Sequence, residues 1–223
     1  AFRVLRRSLF SDQTLEPTQV SGFNQFFDDP PGTDSWRYGI ALDQKFSSSF
    51  YGGVEFSKRD LDVVEPVFCH NQTLKYDKKE WFNRVYLYWT PHPRLSTSAE
   101  WYYEKLDSSL PSSIWNVTQS LRTNRVPFGV NFFHPLGFIA GLKATYTDQK
   151  GKFVDSEGHP VSDSDHFWLL DASIGYRLPK RLGLITIDAK NLLNEKFKYQ
   201  EIDPGNFLLY PERLIFARFT LAF

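Results

Sequence analysis

Apolar and polar side chains alternate with period two through most of this chain, and no window of comparable length prefers the helical period. In 168–178 the even positions are Trp168, Leu170, Ala172, Ile174, Tyr176 and Leu178, while Leu169, Asp171, Ser173, Gly175 and Arg177 fall between them. At the end of the chain Ile215, Ala217, Phe219, Leu221 and Phe223 alternate with Arg218, Thr220 and Ala222. Successive side chains of a strand point to opposite faces, so each segment reads as a strand with one apolar and one mixed face. The pattern predicts strands over 18–27, 35–46, 49–60, 79–90, 95–106, 120–133, 137–148, 166–178, 182–192 and 213–223, with 1–9 as an eleventh. The one helix-like run, 191–200, is short and follows a strand without a break.

The expected connections alternate in length. Those at 46–49, 90–94, 134–137 and 179–182 are short, whereas those at 60–78, 105–119, 148–165 and 198–211 are long and polar. Hairpins with one tight end and one loose end describe an antiparallel up-and-down transmembrane β-barrel. A soluble barrel or sandwich also alternates, with the opposite face in water. Three features favour the membrane orientation. Glycine shares a face with charge, as Gly39 with Arg37 and Asp43, Gly53 with Glu55 and Arg59, and Gly175 with Asp171 and Arg177. Aromatics stand near the ends of the apolar stripes, as interfacial belts do: Trp36, Tyr38, Trp89, Trp101, Tyr103, Tyr146, Trp168 and Tyr176. The stripes run for the roughly 9–11 residues that a tilted strand needs to cross hydrocarbon.

Composition narrows the classes. Aromatic residues at 17% exclude gross disorder, and no run approaches about 20 consecutive apolar residues, which excludes a helical membrane span. Lys+Arg and Asp+Glu are both 26, so net charge gives no argument for nucleic acid. The single Cys69 excludes an intramolecular disulfide framework. The chain has no Met and begins at Ala1. Together with an odd count of eleven strands, this predicts the C-terminal part of a larger barrel, with about ten to twelve strands in a single domain spanning 1–223.

Charges on the mixed faces are the candidate lumen-lining residues: Arg37, Asp43, Glu55, Arg59, Arg84, Glu100, Glu104, Lys143, Asp171, Arg177, Asp188, Lys190 and Arg218. With signs nearly balanced, they serve either as a salt-bridge network that stiffens the wall or as a solute path. Asp148, Lys150, Lys152, Asp155, Glu157, Asp163 and Asp165 fall in the longest expected loop, where they are solvated or touch an extracellular ligand. His70, His92, His134, His159 and His166 show no metal-ligand spacing and read as solvated loop residues. No G-x-S-x-G, phosphate-binding loop or dinucleotide fingerprint occurs, so neither an enzyme nor a cofactor is expected.

The ending Leu170-Asp171-Ala172-Ser173-Ile174-Gly175-Tyr176-Arg177, then Asp188-Ala189-Lys190-Asn191-Leu192-Leu193-Asn194-Glu195-Lys196-Phe197, then Pro211-Glu212-Arg213 and the terminal Phe223, resembles that of TonB-dependent outer-membrane receptors. Leu193 stands where the family has Phe, and Glu212 where it has Gly. The resemblance implies a porin-like barrel in a Gram-negative outer membrane that moves a solute across it. It implies outer-membrane lipid as a partner, the barrel-assembly machinery reading Phe223 as its signal, and an energising periplasmic partner. A similar ending occurs in barrels preceded by helical repeats, so a barrel anchor or export pore joined to a periplasmic repeat domain is the alternative. A soluble all-β binding module is the second alternative. An open sheet would leave two unpaired edges in hydrocarbon, so residues 1–223 expressed alone are expected not to insert stably.

Overall fold

The computed structural model describes residues 1–5, 19–20, 23–24, 29, 32–67, 72–110, 117–154, 157–197 and 212–221. Its strands are β1 (Phe2–Leu5), β2 (Gln19–Val20), β3 (Phe23–Asn24), β4 (Asp34–Lys45), β5 (Phe50–Val67), β6 (Gln72–His92), β7 (Leu95–Ser108), β8 (Val117–Phe133), β9 (Phe138–Val154), β10 (Pro160–Arg177), β11 (Gly183–Lys190) and β12 (Leu214–Leu221). Ten of them form one antiparallel sheet in the order β1-β4-β5-β6-β7-β8-β9-β10-β11-β12. From β4 onward every strand pairs with the next in sequence, which is an up-and-down meander. The sheet is open, with β1 and β12 as its edges. A 3-10 turn at Pro179–Arg181 is the one helical element among the described residues.

The tight connections form where the alternation breaks. Phe46 N–H and Ser47 N–H both donate to Phe50 O at 3.0 and 3.2 Å and close the β4–β5 turn. In the β8–β9 turn Gly137 holds φ at 96°, a conformation that costs glycine no steric strain, and its carbonyl accepts from Arg177 N–H at 2.8 Å. The run 191–197 is a turn and not a helix: Asn191 has φ at 48°, its amide donates to Glu195 O, and its side-chain oxygen accepts from Glu195 N–H, both at 2.8 Å.

Three expectations are corrected. The described residues of 18–27 do not join the main sheet; β2 and β3 form a separate two-stranded ribbon. The main sheet therefore holds an even number of strands among the described residues, and the parity argument for further strands upstream falls away. The long loops expected at 60–78 and 148–165 are largely sheet, because the hairpins β5–β6 and β9–β10 extend well beyond their neighbours. The alternation simply continues there. Leu61 and Val63, both 2% exposed, share a face with Ser57 and Arg59. Asp148, Lys150, Lys152, Asp163 and Asp165 are accordingly strand residues; Asp155 lies outside the described residues.

Candidate functional site

The antiparallel register assigns every side chain to one of two faces. One rung reads Ala41, Glu55, Arg84, Tyr102, Arg125, Thr147 and Phe167 across β4 to β10. Another reads Phe50, Trp89, Thr97, Val130, Leu142, Ala172, Ala189 and Ile215 across β5 to β12. The first belongs to a polar face and the second to an apolar one. All the charges singled out from sequence, from Arg37 to Arg218, lie on the polar face.

Exposure runs opposite to polarity on the two faces. On the apolar face Ile40 is 70% exposed, Ile174 61% and Phe219 59%. On the polar face Thr147 is 2% exposed, Gln149 4% and Arg37 6%. Fully burying a side chain such as Ile or Phe is worth about 1.5–3 kcal/mol, and these side chains do not gain it among the described residues. Among the described residues no strand or helix covers the apolar side.

The polar face is knitted by ion pairs. Arg84 reaches Glu100 at 2.7 Å and donates to the Tyr88 hydroxyl at 2.8 Å; Glu100 also accepts from Tyr88 at 3.0 Å and from Tyr102. The guanidinium lies 4.7 Å from the Tyr86 ring centroid and 5.5 Å from that of Tyr102. The Tyr86 hydroxyl donates to Asp43 across Gly53, where an added Cβ would meet both groups at 2.6 Å. Glycine is thus required at Gly53 by the contact it spans. Arg59 pairs with Glu80 at 3.0 Å and with Asp29; burial pushes the Asp29 carboxyl above its ordinary range against the pull of Arg59. Arg37–Glu55 and Arg125–Glu104 stand 3.9 Å apart, and Lys190 reaches Asp171 at 2.8 Å. Asp188 accepts from Thr186 at 3.0 Å. Lys143, Arg177 and Arg218 make no ion pair among the described residues, although Lys143 stands cross-strand from Asp171. Glu80, Arg125 and the tyrosines Tyr86, Tyr88 and Tyr102 were missed, although they occupy the same alternating set. Phe223 lies outside the described residues.

The four described histidines form no site among the described residues. His92 Nδ1 accepts from Arg94 N–H at 3.2 Å and His134 Nδ1 from Leu136 N–H at 3.3 Å, so both brace tight turns. His166 is on β10 rather than in a loop, and His70 lies outside the described residues. Among the described residues no group of three or more His, Cys, Asp or Glu side chains could hold a metal ion.

The apolar face carries two aromatic belts, although Trp101, expected at a belt, stands cross-strand from Val85, midway between them. On β6 they are marked by Trp81 and Trp89, and on β10 by Trp168 and Tyr176, with the markers eight residues apart on each strand. Both belts drift in step. The rung of Trp81 meets β10 at Ser164, four residues from Trp168, and the rung of Trp89 meets it at Ala172, four residues from Tyr176. Tyr146 packs on Trp168 at 5.1 Å and Phe138 on Tyr176 at 5.0 Å, so β9 repeats the spacing. A drift of four residues is about 13 Å along the strands, over four inter-strand steps of about 4.8 Å. If the belts lie level, the strands tilt by about 35°, within the range of transmembrane barrels. No protein-family model matches the chain, and no curated protein or solved structure matches it either.

Proposed function

We propose that this chain forms wall of an outer-membrane β-barrel, resembling that of TonB-dependent receptors, through which a solute crosses the membrane. The apolar face meets lipid, the belts sit at its two interfaces, and the charged face lines an aqueous interior. The single observation that carries the reading is the pair of aromatic belts, eight residues apart on both β6 and β10 and staggered by the same four residues. Packing of a soluble core gives no reason for two aromatic rows to keep a constant spacing while drifting together across four strands. That separation spans about 26 Å along a strand, or a little over 20 Å at that tilt, close to the roughly 25 Å apolar band of such barrels. The exposed apolar face also disfavours a soluble binding module. The reading implies outer-membrane lipid and the barrel-assembly machinery as partners.

The test uses the protein expressed from its own gene. It is expected in the membrane fraction after alkaline wash, requiring detergent for extraction and migrating differently on gels before and after boiling. In planar bilayers it is expected to pass ions. Recovery as a soluble protein without detergent would sink the membrane assignment, and a silent bilayer with intact insertion would sink the solute path alone.

A further inference from the structure

We infer that the apolar face ends, beyond its belt at the long-hairpin end, in a binding site for the phosphate groups of an anionic lipid; this rests on the membrane reading above. Lys105 of β7, Arg122 of β8 and Lys150 of β9 are direct cross-strand neighbours on one rung, on the apolar face. Like charges set opposite each other on adjacent strands repel and destabilise a sheet. Lys152 lies two residues further along β9 on the same face, and Lys79 adds a cation on β6.

The neighbouring carboxylates balance this row only in part: Lys79 stands cross-strand from Asp60 and Asp107, but Asp60 reaches Lys58 at 2.8 Å, and no carboxylate stands directly opposite Lys150 or Lys152. Asp107 reaches Lys105 at 2.5 Å and Asp148 reaches Arg122 at 3.7 Å. Lys79, Lys150 and Lys152 are exposed and make no ion pair among the described residues. The height is right for a headgroup. Lys79 is two residues beyond Trp81, and Lys150 four beyond Tyr146, on the side away from the apolar band. A lysine stem there lies along apolar surface while its ammonium reaches the polar layer. Lys105 Nζ stands 4.7 Å from the Trp81 ring centroid, which ties the cation row to the belt itself. A phosphate diester or monoester held between β8 and β9 supplies the negative charge this rung lacks, while its acyl chains follow the apolar stripe below.

The protein expressed from its own gene is placed in phosphatidylcholine vesicles containing about one-tenth phosphatidylglycerol. The lipids it retains are then counted by native mass spectrometry. A basic residue near a charged surface is worth about 1 kcal/mol, so an enrichment of about fivefold or more in phosphatidylglycerol is expected, falling with added salt. The variant K79Q/K150Q/K152Q, which removes no ion pair among the described residues, should bring the retained share down to the bulk share. K79R/K150R/K152R should keep the enrichment. An embedded wild type that retains lipids in their bulk proportions, or a glutamine variant that keeps the enrichment, overturns the inference and leaves the membrane reading standing. Failure of the wild type to embed in these vesicles overturns both.

Discussion

The polar face divides into two unlike halves. Across β4 to β7, charge is tied down: Arg59 to Glu80, Arg84 to Glu100 with Tyr88 and Tyr102 joining, and Tyr86 to Asp43. Across β9 to β12 the Lys190–Asp171 pair at 2.8 Å is the one ion pair on this face among the described residues, and Lys143, Arg177 and Arg218 are exposed and unpaired. The same sequence alternation underlies both halves. What separates them is whether the register sets opposite charges, with hydroxyl donors beside them, within reach. The first half is tied together by ion pairs and hydroxyl donors, and the second leaves three cations without an ion pair among the described residues.

Three measurements would break or sharpen that contrast. The largest effect should appear on the other side of the sheet, where the halves are alike. Val85 on β6 and Leu142 on β9 each lie midway between the belts, four residues from either marker. Val85→Arg and Leu142→Arg should each cost about 2–4 kcal/mol of stability in urea titrations of the protein in phospholipid vesicles, as charge at the bilayer midplane does. A cost below about 1 kcal/mol at either position would mean that half does not face lipid.

Arg84→Ala comes next. It strips Glu100 of its cation and leaves a carboxylate whose side chain is 17% exposed. A loss of about 2–3 kcal/mol is expected in the same titration, less than for a wholly buried pair because water reaches part of this one. Restoring the lost stability by adding Glu100→Gln would locate the effect in the stranded charge.

Lys143→Ala should be the mildest. With no ion pair to lose, it is expected to change stability by less than about 0.5 kcal/mol. It should nevertheless shift the reversal potential in a salt gradient towards cations, because one free positive charge leaves the path. An unchanged reversal potential would place Lys143 outside the path.

Much of this was legible in the sequence, for a physical reason: a period of two fixes the face of each residue before any partner is known. The placement of Arg37, Glu55, Arg84, Lys143 and Arg218 on one side followed from it. So did the tight turns at 46–49 and 134–137, where alternation stops at Ser, Pro and Gly. The network itself was not legible. That Glu100 gathers Arg84, Tyr88 and Tyr102 depends on which residues of β6 and β7 stand opposite each other, and alternation within a strand carries no register between strands. The lengths of β5, β6, β9 and β10 were underestimated, because Asp, Lys and Ser around 60–78 and 148–165 look like loop chemistry. Paired edges and the buried Leu61 and Val63 hold them extended. The separate ribbon of β2 and β3 was misread because 18–27 carries enough alternation to pass for a wall strand.

The open sheet has one arithmetical consequence. Nine antiparallel joints connect its ten strands, so β1 and β12 run in opposite directions. Their free edges can seal against each other directly, with the same handedness of joint found everywhere else in the meander. Staves added between them must come in twos, since a single extra one would force a parallel seam into the hoop.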